Sequence, residues 1–314
     1  MKAQDPQAER IRFGIELETT IPVTAGVEVG AYHNGRPVFT GRAHGTGTTV
    51  AAPVFLCHHW RAERDGSIRC EDGQIACEFV SPVLNGSEGI EHLLEFVAWA
   101  TEIGAAVNSS CGCHITVGVE SIIDSECPQA HAAYARKLAH IARWHAMSLY
   151  GQTGTGRHLS QYAHMLDDSV GRLVKRMEET PNPSRKAEAA IRCGRGMINF
   201  QKLFSHGVIE FRVFAGTLNR LKIMHHLATV LGLCRRAADV QCLGGFSRNK
   251  AQEKRTATAA TALRFLWDYL GWTGSKRPVA LGLIGPLHSR FHLHAETAQR
   301  MCAQFDRRFP NIRL

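Results

Sequence analysis

The chain has 314 residues, 44% of them hydrophobic, and carries a formal net charge of +9 with 17 histidines. That length holds one large domain or two small ones, and no run of 18 apolar residues marks a membrane-spanning helix. The start, MKAQDPQAER, is polar and lacks the apolar core of a signal peptide, so the ten cysteines are expected to be reduced thiols in a cytoplasm.

The basic residues are dispersed, as in LVKRMEET and FDRRF. The dispersal argues against a nucleic-acid groove, and a phosphate-rich small ligand would use positive charge equally well. Oligomeric state is not legible.

After a polar tail over residues 1–10, IRFGIELETT (11–20) reads as a strand. Phe13, Ile15 and Leu17 fall on one face, Glu16 and Glu18 on the other. Same-face residues two apart lie roughly 6–7 Å from each other. Two bare carboxylates at that spacing repel by about 2–3 kcal/mol at an effective dielectric near 20. A solvated face relieves this repulsion, and so does a bound cation. Next, GVEVGAYHNGRPVFTG carries Asn34-Gly35 between two β-prone runs, a hairpin signal. GRAHGTGTTVAAP reads as a loop, and IACEFVSPVL as a strand stopped near Pro82, with Glu78 opposite Ile75, Cys77 and Phe79.

SEGIEHLLEFVAWATEIG predicts a helix capped by Ser87 and ended by Gly104. CGCHITVGVE returns to strand, with His114 opposite Cys111, Cys113, Ile115 and Val117. Residues 128–150 read as one long helix, with Pro128 near its start and Gly151 after its end. Residues 154–194 are polar, with short helices around the TPNPS break. GMINFQKLFSHGVIEFRVFAGTLN predicts two strands joined at Ser205-His206-Gly207, with Glu210 and Arg212 facing away from Ile209, Phe211 and Val213. Helices follow over 219–240, 256–270 and 290–307. Strands and helices intersperse without a βαβ rhythm, which predicts an α+β fold with a largely antiparallel sheet.

Four strands thus set sparse polar groups against a packed apolar face. Alternation alone gives any half-exposed strand a polar face, His114 could be a satisfied core histidine, and Glu210 with Arg212 a simple ion pair. If the groups converge, Glu16, Glu18, Glu78 and Glu210 with His114 make an oxygen-rich ligand set suited to Mg²⁺ or Mn²⁺. Zinc would call for more sulfur and nitrogen. Arg212 cannot ligate a cation but can clamp a phosphate beside one. Other readings are weaker. GQTGTGRH lacks the Gly-Lys-Ser/Thr ending of a phosphate loop and follows a helix. CHHW, Cys70, Cys77 and CGCH contain no C-x-x-C. Cys113 and His114, as strand neighbours, point to opposite faces.

FGIELE, then DGSI followed by EFVSPVL, then GCHITV, then MINF leading into GVIEFRVFAGTLN, in that order, resembles the amidoligase family. That family sits with the carboxylate–amine ligases of the glutamine synthetase and glutamate–cysteine ligase superfamily. The resemblance spans about residues 11–220 and implies a curved antiparallel sheet with helices on one face, like the glutamine synthetase catalytic domain. With the helices read beyond it, the expected division is a catalytic domain at 11–240 and a helical part at 241–314 packed on it. The resemblance implies ATP-dependent joining of a small-molecule or peptide carboxylate to an amine through an acyl phosphate, with Mg²⁺ or Mn²⁺. By motif, Glu16, Glu18 and Glu78 match acidic metal ligands. His114 matches the histidine serving the metal–phosphate site, Glu210 the acid of EFR and Arg212 its phosphate-binding arginine. Asp65 of DGSI fits a polar residue near the substrate, and Arg195 a second ATP contact. Asp65 and Glu78 are the candidate proton acceptors. The family's second histidine position, two after the first, holds Thr116. The alternative is a non-catalytic basic protein binding nucleotide or nucleic acid on a ligase-like scaffold.

Overall fold

The computed structural model describes residues 11–38, 42–45, 48–51, 60–123, 125–151, 153, 157–166, 175 and 195–240. The polar tail over 1–10, the TPNPS break and the expected helices at 256–270 and 290–307 lie outside the described residues. So do Gly41, Thr46 and Gly47 of GRAHGTG and most of GQTGTG.

An antiparallel, unclosed eight-stranded sheet organises the chain. Its strands are β1 (Arg12–Pro22), β2 (Arg36–Pro37), β5 (Arg61–Glu63), β6 (Gln74–Val80), β7 (Leu84–Asn85), β8 (Gly112–Gly118), β9 (Ile198–Asn199) and β10 (Val208–Ala215). The order is β2-β5-β6-β1-β8-β10-β9, with β7 also pairing with β1. A separate hairpin joins β3 (Arg42–Gly45) and β4 (Thr48–Ala51). The β-branched run Thr48-Thr49-Val50 explains why strands form there in place of the expected loop.

The apolar face is built as strand alternation dictates. Phe13, Ile15, Leu17, Phe79, Cys113, Ile115, Ile209 and Phe211 are buried. Helices α1 (Gly86–Glu102), α3 (Pro128–Trp144) and α6 (Arg220–Asp239) supply the other half of the core, with short helices α2 (Glu120–Ile123), α4 (Ala146–Gly151) and α5 (Leu203–His206) between them. Phe96 of α1 stacks on Trp60 at 3.5 Å between ring centroids and meets Phe79 edge-on at 5.3 Å. Phe214 of β10 stacks on His226 of α6 at 4.1 Å. Tyr134 of α3 donates to the carbonyl of Cys234 of α6 at 3.1 Å, tying the two helices. Among the described residues no helix is long and apolar enough to cross a membrane.

Local departures from expectation have physical causes. The turn lies at Tyr32-His33, not Asn34-Gly35: Asn34 N–H bonds the carbonyl of Ala31 at 2.9 Å, and His33 takes the positive φ of 56°. Strand β2 then pairs with β5 instead of folding back on the preceding run. Ser87 lies inside α1 and not at its cap; Asn85 stands at the N-cap without a side-chain capping bond, and Gly86 at φ 55° turns the chain from β7 into the helix. Gly104 ends α1 at φ 83°, as expected. The long helix over 128–150 breaks at His145, whose N–H is shared between the carbonyls of Ile141 and Arg143. Between β9 and β10 the chain makes α5, ended by Gly207 in the left-handed region.

Candidate active site

The face opposite the core gathers the acids. Register sets Glu18 of β1 opposite Glu78 of β6, and Glu63 of β5 opposite the same Glu78. On the other side of β1, Glu16 pairs with His114 of β8. Facing residues of like charge repel across a sheet, so the row Glu18–Glu78–Glu63 opposes folding unless a proton or cation intervenes. In β10 a bulge between Phe211 and Phe214 inserts a residue opposite β8. It keeps Arg212 on the polar side while Val213 and Phe214 are both buried.

His114, 1% exposed, is the hub. Its Nδ1 lies 3.2 Å from Glu16, 3.8 Å from Glu78 and 3.5 Å from Glu210, and its Nε2 lies 3.3 Å from Glu18. The structure therefore brings together Glu16, Glu18, Glu78, Glu210 and His114. Ligand atoms of Glu16, Glu78 and His114 lie within 4.8 Å of one another, and so do those of Glu18, Asp65 and Glu78. Glu78 is common to both groups, and neither contains a thiol.

Burial, then the charges of Glu16 and Glu18, push the Glu78 carboxyl up to about 10. Burial, then the Arg212 guanidinium, lowers His114 to about 4 against the pull of Glu18 and Glu210. The imidazole is thus neutral near pH 7, the form that ligates metal. A proton held on Glu78 marks a cluster with more negative charge than its own cations offset.

Arg212 ion-pairs with Glu210, and its Nε donates to the Tyr162 carbonyl at 3.1 Å. Asn199 of β9 donates to the other Glu210 oxygen at 2.8 Å. Asp65 accepts from Ser67 N–H at 2.6 Å, in a tight turn that aims it at the cluster. Arg195 sits over the Tyr162 ring, 5.3 Å from its centroid, and lines the same cavity as Glu16, Glu78 and Glu210.

Sequence reasoning missed Arg157. This buried arginine reaches under the cluster: Nη2 lies 3.2 Å from His114 Nε2, and Nε donates to the Arg212 carbonyl at 3.2 Å. A guanidinium only donates, so the first contact is a hydrogen bond only when Nε2 accepts and Nδ1 carries the proton toward Glu16. The other tautomer donates Nε2–H to Glu18 and leaves Nδ1 open to a cation. The signal was an arginine closing GQTGTGR; it was passed over because the run fails as a phosphate loop. Glu63 and Asn199 were missed too, although Asn199 stands inside MINF.

Above this layer lies an open cavity of about 720 Å³, lined by Glu16, Glu78, Glu210, Arg212, Asp65 and Arg195 among others. Glu18, His114 and Arg157 support it from below. The arrangement joins hard oxygen donors to guanidinium groups, a combination suited to holding a cation and a phosphate side by side.

Residues 9–234 match the model of a family described as "Putative amidoligase enzyme". No curated protein and no solved structure matches the chain.

Proposed function

The chain belongs to the amidoligase family, and on that premise we propose that it is an ATP-dependent carboxylate–amine ligase. The observation that carries the reading is the convergence of Glu16, Glu18, Glu78, Glu210 and His114 beneath a cavity edged by Arg212.

The donor set fits a hard divalent cation, Mg²⁺ or Mn²⁺: carboxylates dominate, the histidine is neutral, and Glu78 keeps a proton that a cation would displace. Glu16, Glu18, Glu78, Glu210 and His114 would hold it. Bound there, it would offset charge on the triphosphate and polarise its terminal phosphorus–oxygen bonds.

A carboxylate oxygen attacks the γ-phosphorus, the bond to the β-phosphate oxygen breaks, and ADP leaves with the electron pair. Arg212, aimed by Glu210 and the Tyr162 carbonyl, clamps the phosphoryl oxygens as their charge redistributes. The amine then attacks the acyl carbon and inorganic phosphate departs. Asp65, on the cavity wall, accepts the proton that the amine sheds, with Glu78, within 4.8 Å of it, the alternative acceptor. Arg195, steadied on Tyr162, gives a second contact to the triphosphate. Asn199 positions Glu210, and Arg157, bonded to the Arg212 carbonyl, closes the layer beneath His114; neither is assigned contact with a reacting atom. The fold supports a likeness to the glutamine synthetase catalytic domain, with helices behind an antiparallel sheet.

The test is ADP release with Mg²⁺ and ATP across a panel of amines, amino acids and peptides. ADP formation that needs both an acid and an amine, with amide product by mass spectrometry, supports a ligase. ADP formed without product, or at the same rate without acceptor, contradicts it.

A further inference from the structure

A second cavity of about 420 Å³ adjoins the first and shares Glu16, Val80 and Lys202 with it. It occupies the same face of the sheet, toward the start of β1 and the end of β8. Going from Glu16 toward Arg12, the side chains on this face shrink to Gly14, Thr116 and Gly118. Gly14 and Thr116 are register partners, so the floor is close to bare backbone. Val80, Pro82, Val83 and Val208 wall it. Val83 is 74% exposed, a large apolar side chain left in water at the rim. The Ser81 hydroxyl is already committed, accepting from Ile15 N–H at 2.8 Å and donating to the Pro82 carbonyl. The far end is closed by the ion pair of Arg12 with Glu120.

This chemistry differs from that of the first cavity. The acidic cavity suits a charged triphosphate; the second offers a flat floor, apolar walls and few free polar groups, the usual lining of a pocket for an uncharged organic body. The strand rises about 3.3 Å per residue, so Gly14 lies about 7 Å from Glu16 and Arg12 about 13 Å. A planar group on the Gly14 floor could therefore be tethered to phosphates at Arg212, and its chain would pass Lys202, the cation common to both cavities.

We infer that this second cavity seats the base and ribose of the nucleotide whose phosphates occupy the first. The inference rests on the ligase reading, because it takes that reading's nucleotide as the occupant. The base lies flat on the peptide planes of Gly14 and Gly118 and covers the apolar wall. Lys202 meets the phosphates at the junction.

The test compares ATP with inorganic tripolyphosphate, each with Mg²⁺, by calorimetric titration. Tripolyphosphate carries the charge without the base. Wild type should bind ATP at least tenfold more tightly than tripolyphosphate. Gly14→Val should remove that advantage and leave tripolyphosphate affinity within twofold. A Cβ at Gly14 meets only Ser81 Oγ, at 3.5 Å, an ordinary van der Waals contact. Thr116→Phe fills the same space from β8 and should act alike if Gly14→Val melts early. Lys202→Ala should weaken both ligands together.

Equal wild-type affinity for the two ligands overturns the inference and leaves the ligase reading standing. So does a folded Gly14→Val protein with unchanged ATP affinity and slowed turnover at saturating ATP, which assigns the cavity to the acid or amine. Wild type that binds neither ligand overturns the ligase reading, and this inference with it.

Discussion

A Cβ on Gly112 would lie 2.5 Å from Arg157 Nη2 and 2.7 Å from His114 Nε2. Gly112 is the one position of β8 where the strand must lack a side chain for the supporting layer to assemble, and its N–H also bonds the Glu18 carboxylate. Gly112→Ala should push Arg157 off His114. We expect a loss of about 1–3 kcal/mol in stability, as for overpacking in a filled interior, read from a chemical melt. ATP turnover should fall at least tenfold in protein that remains folded.

Arg212→Lys keeps the charge and loses the planar fork. Turnover should drop by roughly a hundredfold, in the range of removing one preorganised donor. The buried contacts to Glu210 and the Tyr162 carbonyl add a stability cost of about 1–3 kcal/mol. Single-turnover ADP formation beside a melting curve separates the two effects. Normal turnover would return Glu210 and Arg212 to a structural ion pair.

Asn199→Leu removes the donor to Glu210 without changing the bulk of the side chain much. As a positioning residue, Asn199 should affect the nucleotide step more than the fold. The expected result is weaker Mg²⁺ affinity with the kcat loss partly rescued at high Mg²⁺. A kcat loss that no Mg²⁺ concentration restores would assign Asn199 a different role.

The polar face was legible in the sequence because period-two alternation survives in β1, β6, β8 and β10. Glu16, Glu78, His114, Glu210 and Arg212 each stand between buried apolar neighbours, and Glu18 stands between buried Leu17 and Thr19. What alternation cannot carry is register. The Glu18–Glu78–Glu63 row exists because β5 pairs with β6, and Glu63 sits in a three-residue strand too short to show a period. Arg157 comes from a 3₁₀ turn, Arg157–Leu159, so no strand pattern could aim it. The turn at Tyr32-His33 escaped because Asn-Gly is the stronger local signal. Gly30 decides instead: a Cβ there would lie 2.3 Å from the Asn34 carbonyl, so the close approach demands glycine.

The cluster should respond to pH through Glu78. Its carboxyl is raised to about 10 in the folded protein from an ordinary value of 4.5. Between those values the native state holds a proton that the unfolded chain has shed, so stability without divalent cation should fall as pH rises across the window. Binding a cation displaces that proton, so Mg²⁺ affinity should increase with pH over the same range. Melting curves at pH 6, 7.5 and 9, in chelator and in Mg²⁺, check both signs. Mg²⁺ should raise the melting temperature most at pH 9. In the Glu78→Gln protein the pH slope in chelator should flatten.

The most direct measurement of the central claim is calorimetric titration of ATP into the full chain, with Mg²⁺ and with excess chelator. Acids beneath the cavity repel a bare triphosphate, and a cation between them reverses the sign. Mg²⁺ should tighten ATP binding at least tenfold, and Glu16→Gln with Glu78→Gln should abolish the Mg²⁺ dependence. Equal or tighter ATP binding in chelator would contradict the claim.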